Sequence, residues 1–426
     1  MNYKIPRGTY DILPKDSAKW QYVQRIFRET AASFGYEEIC TPIFEMAELF
    51  ERSSGESSDV VQKEMYRFQD QKGRDFALRP EGTAPVVRSF VENHLDLQGG
   101  RHKFYYIGPM FRYDRPQKGR YRQFYQYGIE LIGSNHPFFD AEVISLEMQF
   151  LKALGLKKIR LEINSVGCAE CSSDYDAALQ DYYRPHLAEL CPDCQKRYEK
   201  KPRRLLDCKV PSCKVLRQDA PSQLDYLDAP CRDHFAQVQS YLNDMQIDYK
   251  INPAIVRGLD YYTNTAFEII VDDLGAQNSL AGGGRYNGLI AAIGGKDTPA
   301  IGFAGGFERL LLAMQNEGIS TAEPLKPQIY IIGIGEAAQK VVIQLLSQLR
   351  NRGIYAEYNP DKSSFKAQIK AANAMGAAYA GIIGEDELSS GMISLKDLAS
   401  GEQSTVDPSD LPNLLIESKN KESNNL

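Results

Sequence analysis

The sequence predicts an α+β protein. An antiparallel sheet is organised around one long hairpin, a cysteine-rich helical insertion interrupts it, and a separate α/β domain follows. Three observations carry this. Residues 103–111 (KFYYIGPMF) and 123–132 (QFYQYGIELI) alternate apolar and polar side chains around a turn at 116–119, as the two arms of a hairpin do. Six of the eight cysteines crowd between Cys168 and Cys213, in a stretch dense with charge. Beyond the polar linker 321–327 (TAEPLKP), about a hundred residues read βαβαβ.

A chain of 426 residues has enough length for two or three domains with ample core. It has no signal-type apolar segment near residue 1 and no run long enough to span a bilayer, so the cytoplasm is the expected compartment. Cysteines there serve as thiols or metal ligands more often than as disulfides. A net charge of −6 argues against indiscriminate nucleic-acid binding and leaves room for local basic surfaces.

The hairpin is such a surface. Arg112, Arg115, Lys118, Arg120 and Arg122 fall within its tip, and Gln126 and Glu130 lie on one face of its return strand. This pattern suits a polyanion at the rim and a small polar ligand on the sheet. The plain competitor is a solvated edge hairpin whose charges prevent aggregation.

In chain order, Asp16 caps a helix with Trp20, Val23, Ile26, Phe27 and Phe34 on its apolar face, ending at Gly35. Residues 37–44 read as a strand containing Pro42, which implies an edge or a break in the ladder, often beside another chain. Residues 45–64 read as polar loop. A hairpin of 65–68 and 75–78 runs into Arg79-Pro-Glu-Gly-Thr83 and a helix over 84–93. Thr83 reads either as the cap of that helix or, with Glu81, as a hydroxyl and carboxylate able to hold an ammonium group.

A helix over 140–154 and a strand over 159–164 precede the insertion, taken as 167–249 and itself helical over 174–189 and 194–199. Cys168-x2-Cys171 and Cys191-x2-Cys194 have the spacing of zinc knuckles, with Cys208 and Cys213 as a competing pair. Buried thiols in a helical module are the alternative. The spacing leaves the choice open, and no metal ligand is assigned.

The sheet resumes at residue 251. Arg257 stands beside Tyr261 and Tyr262 just before a strand over 263–271, a good place for a cation facing a pocket. Ala281-Gly-Gly-Gly-Arg-Tyr286 allows close backbone approach but lacks the Gly-Lys-Ser/Thr of a phosphate-binding P-loop. A strand over 301–307 leads into a helix over 308–316, with Arg309 in its first turn. A bound anion would explain a cation at that end of a helix, and so would plain solvent exposure.

The C-terminal domain reads as strands 328–334, 354–358, 378–383, 392–395 and 403–406 with helices 337–352 and 364–375. Residues 417–426 are expected to be a disordered tail. Gly333-Ile-Gly-Glu-Ala-Ala338 fits a relaxed dinucleotide motif, with Glu357 at a suggestive distance, but half of a dinucleotide fold is missing.

With Arg112, the glycine-rich segment ending in Arg309 and the Pro42 strand in this order, the chain resembles a class II aminoacyl-tRNA synthetase. Residues 257–262 (RGLDYY) and 281–286 (AGGGRY) resemble the two signature peptides of the bacterial-type histidyl-tRNA synthetase family. Residues 78–83 (LRPEGT) fit the same family, and the likeness runs from Ile5-Pro-Arg-Gly to the C-terminal domain. The resemblance implies a catalytic domain of 1–166 and 250–320 with a six-to-seven-stranded antiparallel sheet. It also implies an inserted tRNA-contacting domain, an anticodon-binding domain at 328–416, and a homodimer.

ATP with Mg2+ would convert L-histidine to histidyl-adenylate, with no organic cofactor, and the histidyl group would pass to the terminal ribose of tRNA(His). Carried over, Glu81, Thr83 and Gln126 would hold the α-amino group. Glu130 and Tyr262, with Tyr261, would orient the imidazole. Arg112 would meet the α-phosphate, Arg309 the ATP tail and adenine, and Arg257 both the histidine carboxylate and the α-phosphate. Arg115, Gln117 and Arg120 would meet the acceptor end of tRNA. Elementary chemistry agrees: a carboxylate attacking a phosphate needs fixed cations rather than a general base. A neutral imidazole offers one donor and one acceptor, which a carboxylate and a hydroxyl match.

Two other readings compete. A histidine-sensing regulatory subunit of ATP phosphoribosyltransferase belongs to a paralogous family that typically lacks the C-terminal domain and keeps the signature peptides poorly. A dehydrogenase built on the 333–338 motif would leave the basic hairpin unexplained.

Overall fold

The computed structural model describes residues 3–55, 58, 60–206, 208, 210–255, 261–271, 278–320 and 325–423. The chain forms two compact units, Met1–Ala322 and Glu323–Leu426.

In the first unit, α1 (Pro14–Ser33) buries Trp20, Val23, Phe27 and Ala31. It begins at a proline in its first turn, so Asp16 lies inside the helix rather than capping it. The expected strand over 37–44 is split into β1 (Glu37–Glu38) and β2 (Phe44–Met46), with Pro42 in the gap. The expected loop contains α2 (Ala47–Ser54), whose Ala47, Leu49 and Phe50 are buried, and a π-helical turn at Val60–Glu64. Polar residues on the outer face of α2 mask its short apolar stripe in the sequence. Next come β3 (Tyr66–Gln69), β4 (Asp75–Leu78), α3 (Thr83–Glu92), β5 (His102–Phe111), β6 (Gln123–Ile132), α4 (Phe138–Ala153) and β7 (Ile159–Ser165).

The insertion supplies α5 (Ala169–Tyr183), α6 (Pro192–Lys200), α7 (Pro211–Leu216) and α8 (Ala229–Asp244). Its first three helices share a small core around Tyr175, Leu179, Tyr183 and Leu205. α8 instead packs Phe235, Val238 and Leu242 into the main core, so this helix belongs structurally to the sheet it returns to. The unit closes with β8 (Lys250–Ile251), β9 (Thr263–Val271), β10 (Ser279–Arg285), α9 (Leu289–Ala292), β11 (Ala300–Gly306) and α10 (Phe307–Asn316).

The main sheet has the order β1-β5-β6-β11-β10-β9-β7-β8. Six antiparallel strands form its centre, and a two-residue parallel strand is added at each edge, making eight where six or seven were expected. Alternation along each strand divides the sheet into two faces. Tyr127, Ile129 and Leu131 of β6, Phe267 and Ile269 of β9, and Ile301 and Phe303 of β11 share one core with α1, α4, α8 and α10. Gln126, Gly128 and Glu130 therefore face the other side.

The second unit holds β12 (Ile329–Gly333), α11 (Glu336–Asn351), β13 (Ala356–Glu357), α12 (Phe365–Ala374), β14 (Tyr379–Ile383), α13 (Glu385–Ser390), β15 (Ile393–Asp397), β16 (Gln403–Val406) and α14 (Leu411–Ser423). Its sheet runs β13-β12-β14-β15-β16. Helix α14 covers most of the stretch expected to be a disordered tail. Leu411 and Leu415, one turn apart, are both buried in this unit's core and anchor it.

Candidate active site

The face of the main sheet opposite its core is the floor of a cavity of about 510 Å³. Glycine makes room for it: a Cβ on Gly302 would land on the Glu130 carboxylate, and one on Gly128 would strike the Tyr106 ring. Gln126, Glu268, Gly302 and Gly306 line the floor, and Glu81, Thr83, Arg112, Arg120, Tyr261, Tyr262, Tyr286 and Arg309 form the walls.

One end is acidic and hydroxylic. Glu81, immediately before α3, accepts the backbone N–H of Thr83 at 2.6 Å and of Ala84 at 2.9 Å. It is Glu81, not Thr83, that satisfies the first amides of the helix. The Thr83 hydroxyl is thereby released to donate to Glu130 Oε1 at 2.7 Å, and Tyr286 donates to Glu130 Oε2 at 2.5 Å.

Burial pushes Glu130 up to about 8, against the Tyr286 and Thr83 hydrogen bonds that favour its charge; the nearby Glu81 carboxylate adds to the rise. Burial also raises Glu81, opposed by its backbone donors and by Arg112. The Tyr261 and Tyr262 rings pack 4.8 Å apart, and Tyr261 meets Tyr286 edge-on. Gln126 Oε1 is buried and finds no hydrogen-bond partner among the described residues. A donor arriving on the floor would satisfy it.

The other end is cationic. Arg112 donates to the Pro80 carbonyl at 2.8 Å and lies over the Phe124 ring. Arg120 pairs with Asp114 and, at 3.4 Å, with Glu64. Arg309, in the first turn of α10, donates to the carbonyls of Gly119 at 3.2 Å and Ser279 at 2.9 Å. Burial lowers its proton affinity, and the positive charges of Arg120 and Arg112 lower it further. Three guanidiniums that repel one another beside a helix N-terminus form a site that an anion relieves.

The sequence-chosen residues thus divide. Glu81, Thr83, Gln126, Tyr261, Tyr262, Arg112 and Arg309 line one cavity, and Glu130 lies buried behind it, bonded to Thr83 and Tyr286 of its wall. Arg120, expected at the hairpin tip, also faces it, whereas Arg115 and Gln117 stay exposed on the tip. Arg257 lies outside the described residues.

Tyr286 lies in the AGGGRY peptide, whose sequence signals close backbone approach but not the tyrosine's bond to Glu130. Nor does the sequence signal Glu308, which accepts Tyr10 O–H at 2.6 Å and Tyr125 N–H at 2.9 Å and is pushed up to about 6, chiefly by burial. Arg285 of the same peptide is structural: fully buried, it pairs with Asp140 at 2.6 Å and holds the start of α4.

Two sequence features resolve differently. In the 333–338 motif, the buried Gln368 amide donates to the Gly333 carbonyl at 2.9 Å and accepts its N–H at 3.2 Å, occupying the strand end where a dinucleotide phosphate would approach. The two Cys-x2-Cys pairs do not meet. Cys191 and Cys194 join Cys208 and Cys213, while Cys168 and Cys171 join Cys231 and Asp228.

A six-stranded antiparallel sheet with an arginine-walled cavity, entered by a basic hairpin, defines a class II aminoacyl-tRNA synthetase. The histidyl-tRNA synthetase family model matches residues 8–310, and an anticodon-binding domain model matches 328–418. The histidine–tRNA ligase of Desulforamulus reducens is 49% identical over 401 residues, covering 94% of this chain and 96% of that one. The ligase of Anoxybacillus flavithermus is 50% identical over 409 residues, covering 95% and 97%. The apo histidyl-tRNA synthetase of S. aureus superposes with a TM-score of 0.84 at 39% identity, covering 97% and 100%. The chain belongs to the histidyl-tRNA synthetase family.

Proposed function

We propose that this chain activates L-histidine with ATP in the sheet-floored cavity and transfers the histidyl group to tRNA(His), with residue roles as follows. Glu81 and Gln126 receive the α-ammonium group, with Thr83 beside them. Glu130, steered by Thr83 and Tyr286, accepts the imidazole N–H while Tyr262 meets the other ring nitrogen. Arg112 meets the α-phosphate and Arg309 the ATP tail and adenine, and Arg257 bridges the histidine carboxylate and the α-phosphate.

A carboxylate oxygen of histidine attacks the α-phosphorus and pyrophosphate leaves. The terminal ribose hydroxyl of tRNA then attacks the carbonyl carbon, and AMP leaves. The arginines offset the charge that builds up between two anions, so positioning and electrostatics carry the first step. Mg2+ enters with ATP and neutralises phosphate charge. Glu268, a carboxylate on the cavity floor whose charge reaches Arg309, is the side chain that would meet it.

The observation that carries this reading is the polarity of one cavity, with Thr83 and Tyr286, both bonded to the Glu130 buried behind them, at one end and Arg112, Arg120 and Arg309 at the other. The second unit is assigned to the anticodon and the exposed hairpin tip to the acceptor end. A homodimer is part of the reading, because Ile43, Phe44 and Phe68 lie exposed on and beside the small sheet β2-β4-β3. The cytoplasm is its compartment. No helix among the described residues is long and apolar enough to cross a membrane.

Histidine-dependent ATP–pyrophosphate exchange, with the other amino acids as controls, tests the activation step, and charging of tRNA(His) tests the second. Histidine binding without exchange would instead point to the regulatory-subunit reading, which relatives at half identity over nearly the whole chain do not favour.

A further inference from the structure

Seven of the eight cysteines gather in or beside the insertion, none of them among the residues lining the cavity, and they do so in two tight groups. In the first, Cys191, Cys194, Cys208 and Cys213 bring four sulfurs within 4.8 Å of one another. The Cys191 and Cys208 sulfurs are 3.8 Å apart, and the Cys191 backbone N–H points at the Cys213 sulfur at 3.3 Å. In the second, Cys168, Cys171, Cys231 and an Asp228 oxygen lie within the same limit, with the Cys168 and Cys171 sulfurs 3.6 Å apart.

We propose that the insertion is a two-zinc module, with one ion held by Cys191, Cys194, Cys208 and Cys213 and another by Cys168, Cys171, Cys231 and Asp228. A tetrahedral zinc with sulfur ligands at about 2.3 Å has sulfur–sulfur edges of about 3.8 Å, close to the 3.8 Å of Cys191–Cys208 and the 3.6 Å of Cys168–Cys171. Disulfides need sulfurs about 2.05 Å apart, and neither pair is that close.

The local fold explains how each group forms. Cys191 is the N-cap of α6 and Cys194 its third residue. Cys168 and Cys171 occupy the same two positions in α5, and Asp228 and Cys231 in α8. An N-cap side chain and one three residues on lie on the same side of a helix start, beside its positive dipole end, which favours thiolates. Backbone donors to the sulfurs follow: the Asp228 N–H meets Cys171 at 3.2 Å, as the Cys191 N–H meets Cys213.

The module has reason to use such staples. Its own core is a handful of aromatic and leucine side chains, and three cysteines already form part of it. The second group ties α5, where the chain leaves the sheet, to α8, where it returns. The first ties the turn before α6 to α7.

The test is metal analysis of untagged full-length protein purified without chelators. About two zinc ions per chain are expected, with zinc-edge X-ray absorption fitting mainly sulfur at about 2.3 Å. Zinc-free protein with full histidine-dependent exchange overturns the proposal, as does iron in place of zinc. Cys194→Ser and Cys171→Ser should each remove one ion, and a variant that keeps its full zinc content overturns the group it belongs to. Should a variant prove insoluble, mercurial titration of the wild-type protein serves instead. Zinc release in step with thiol loss supports the sites, and thiols that all react with no zinc released overturn them.

Discussion

Thr83 and Glu130, 47 residues apart in the chain, are joined by a buried 2.7 Å hydrogen bond behind the cavity wall. The bond exists because Glu81 takes over the capping of α3 and leaves the Thr83 hydroxyl unused by the helix. It lowers the cost of holding a charged Glu130 in a buried position. Thr83→Val keeps the volume and removes the donor. The KM for histidine in pyrophosphate exchange should rise about tenfold, the value of one such bond, while the KM for ATP stays within about twofold. Parallel rises in both would reduce the contact to a fold support.

At the opposite end, Arg309 links two carbonyls, those of Gly119 and Ser279, while facing Arg112 and Arg120. Arg309→Gln should lower kcat/KM for ATP by about 10- to 100-fold, as expected for losing hydrogen bonds to a charged group. Histidine binding measured by calorimetry without ATP should be nearly unchanged. Arg309→Lys should not restore activity, because an ammonium cannot span both carbonyls and still meet a phosphate. Full rescue by lysine would mean that only charge matters there.

How much of this was legible in the sequence depends on the period being read. Strand alternation put Gln126 and Glu130 on one face of the hairpin, and that face is the cavity floor. Glycine runs announced close approach, though much of it is side chain packing on backbone, as with Tyr127 against Gly305, rather than ligand. Partnerships between distant segments were not legible. Nothing local says that Tyr286 aims at Glu130, or that Cys194 lies with Cys208 and Cys213 rather than with Cys168. Helix α2 was hidden because its buried stripe spans barely two turns, and α14 because its two anchoring leucines precede a polar run.

On the proposed roles, the hairpin tip separates the two half-reactions. Arg115 is exposed and away from the cavity, whereas Arg120 lines it and pairs with Asp114. Arg115→Ala should slow transfer to tRNA about tenfold and leave exchange intact, with an effect that shrinks as salt is raised. Arg120→Ala should depress exchange itself. The reverse assignment of effects would mean that the tip folds toward the ATP end when substrates bind.

Glu147 provides a readout independent of substrate. It lies fully buried in α4, accepts the Tyr127 hydroxyl at 2.7 Å on one oxygen, and has no partner for the other among the described residues. Burial pushes it from 4.5 up to about 8. Below about 4.5 the folded and unfolded chains both carry the proton, and Glu147 exacts no penalty. As pH rises from there toward 8, the unfolded chain gives up its proton while the folded one keeps it. Stability then falls by up to about 1.4 kcal/mol per pH unit, and above 8 the loss is complete. Glu147→Gln mimics the protonated side chain and keeps the acceptor for Tyr127. Its melting temperature should match that of the unsubstituted protein near pH 4 and exceed it increasingly up to pH 8. A gap that does not change with pH would show that repacking, not a buried proton, is responsible.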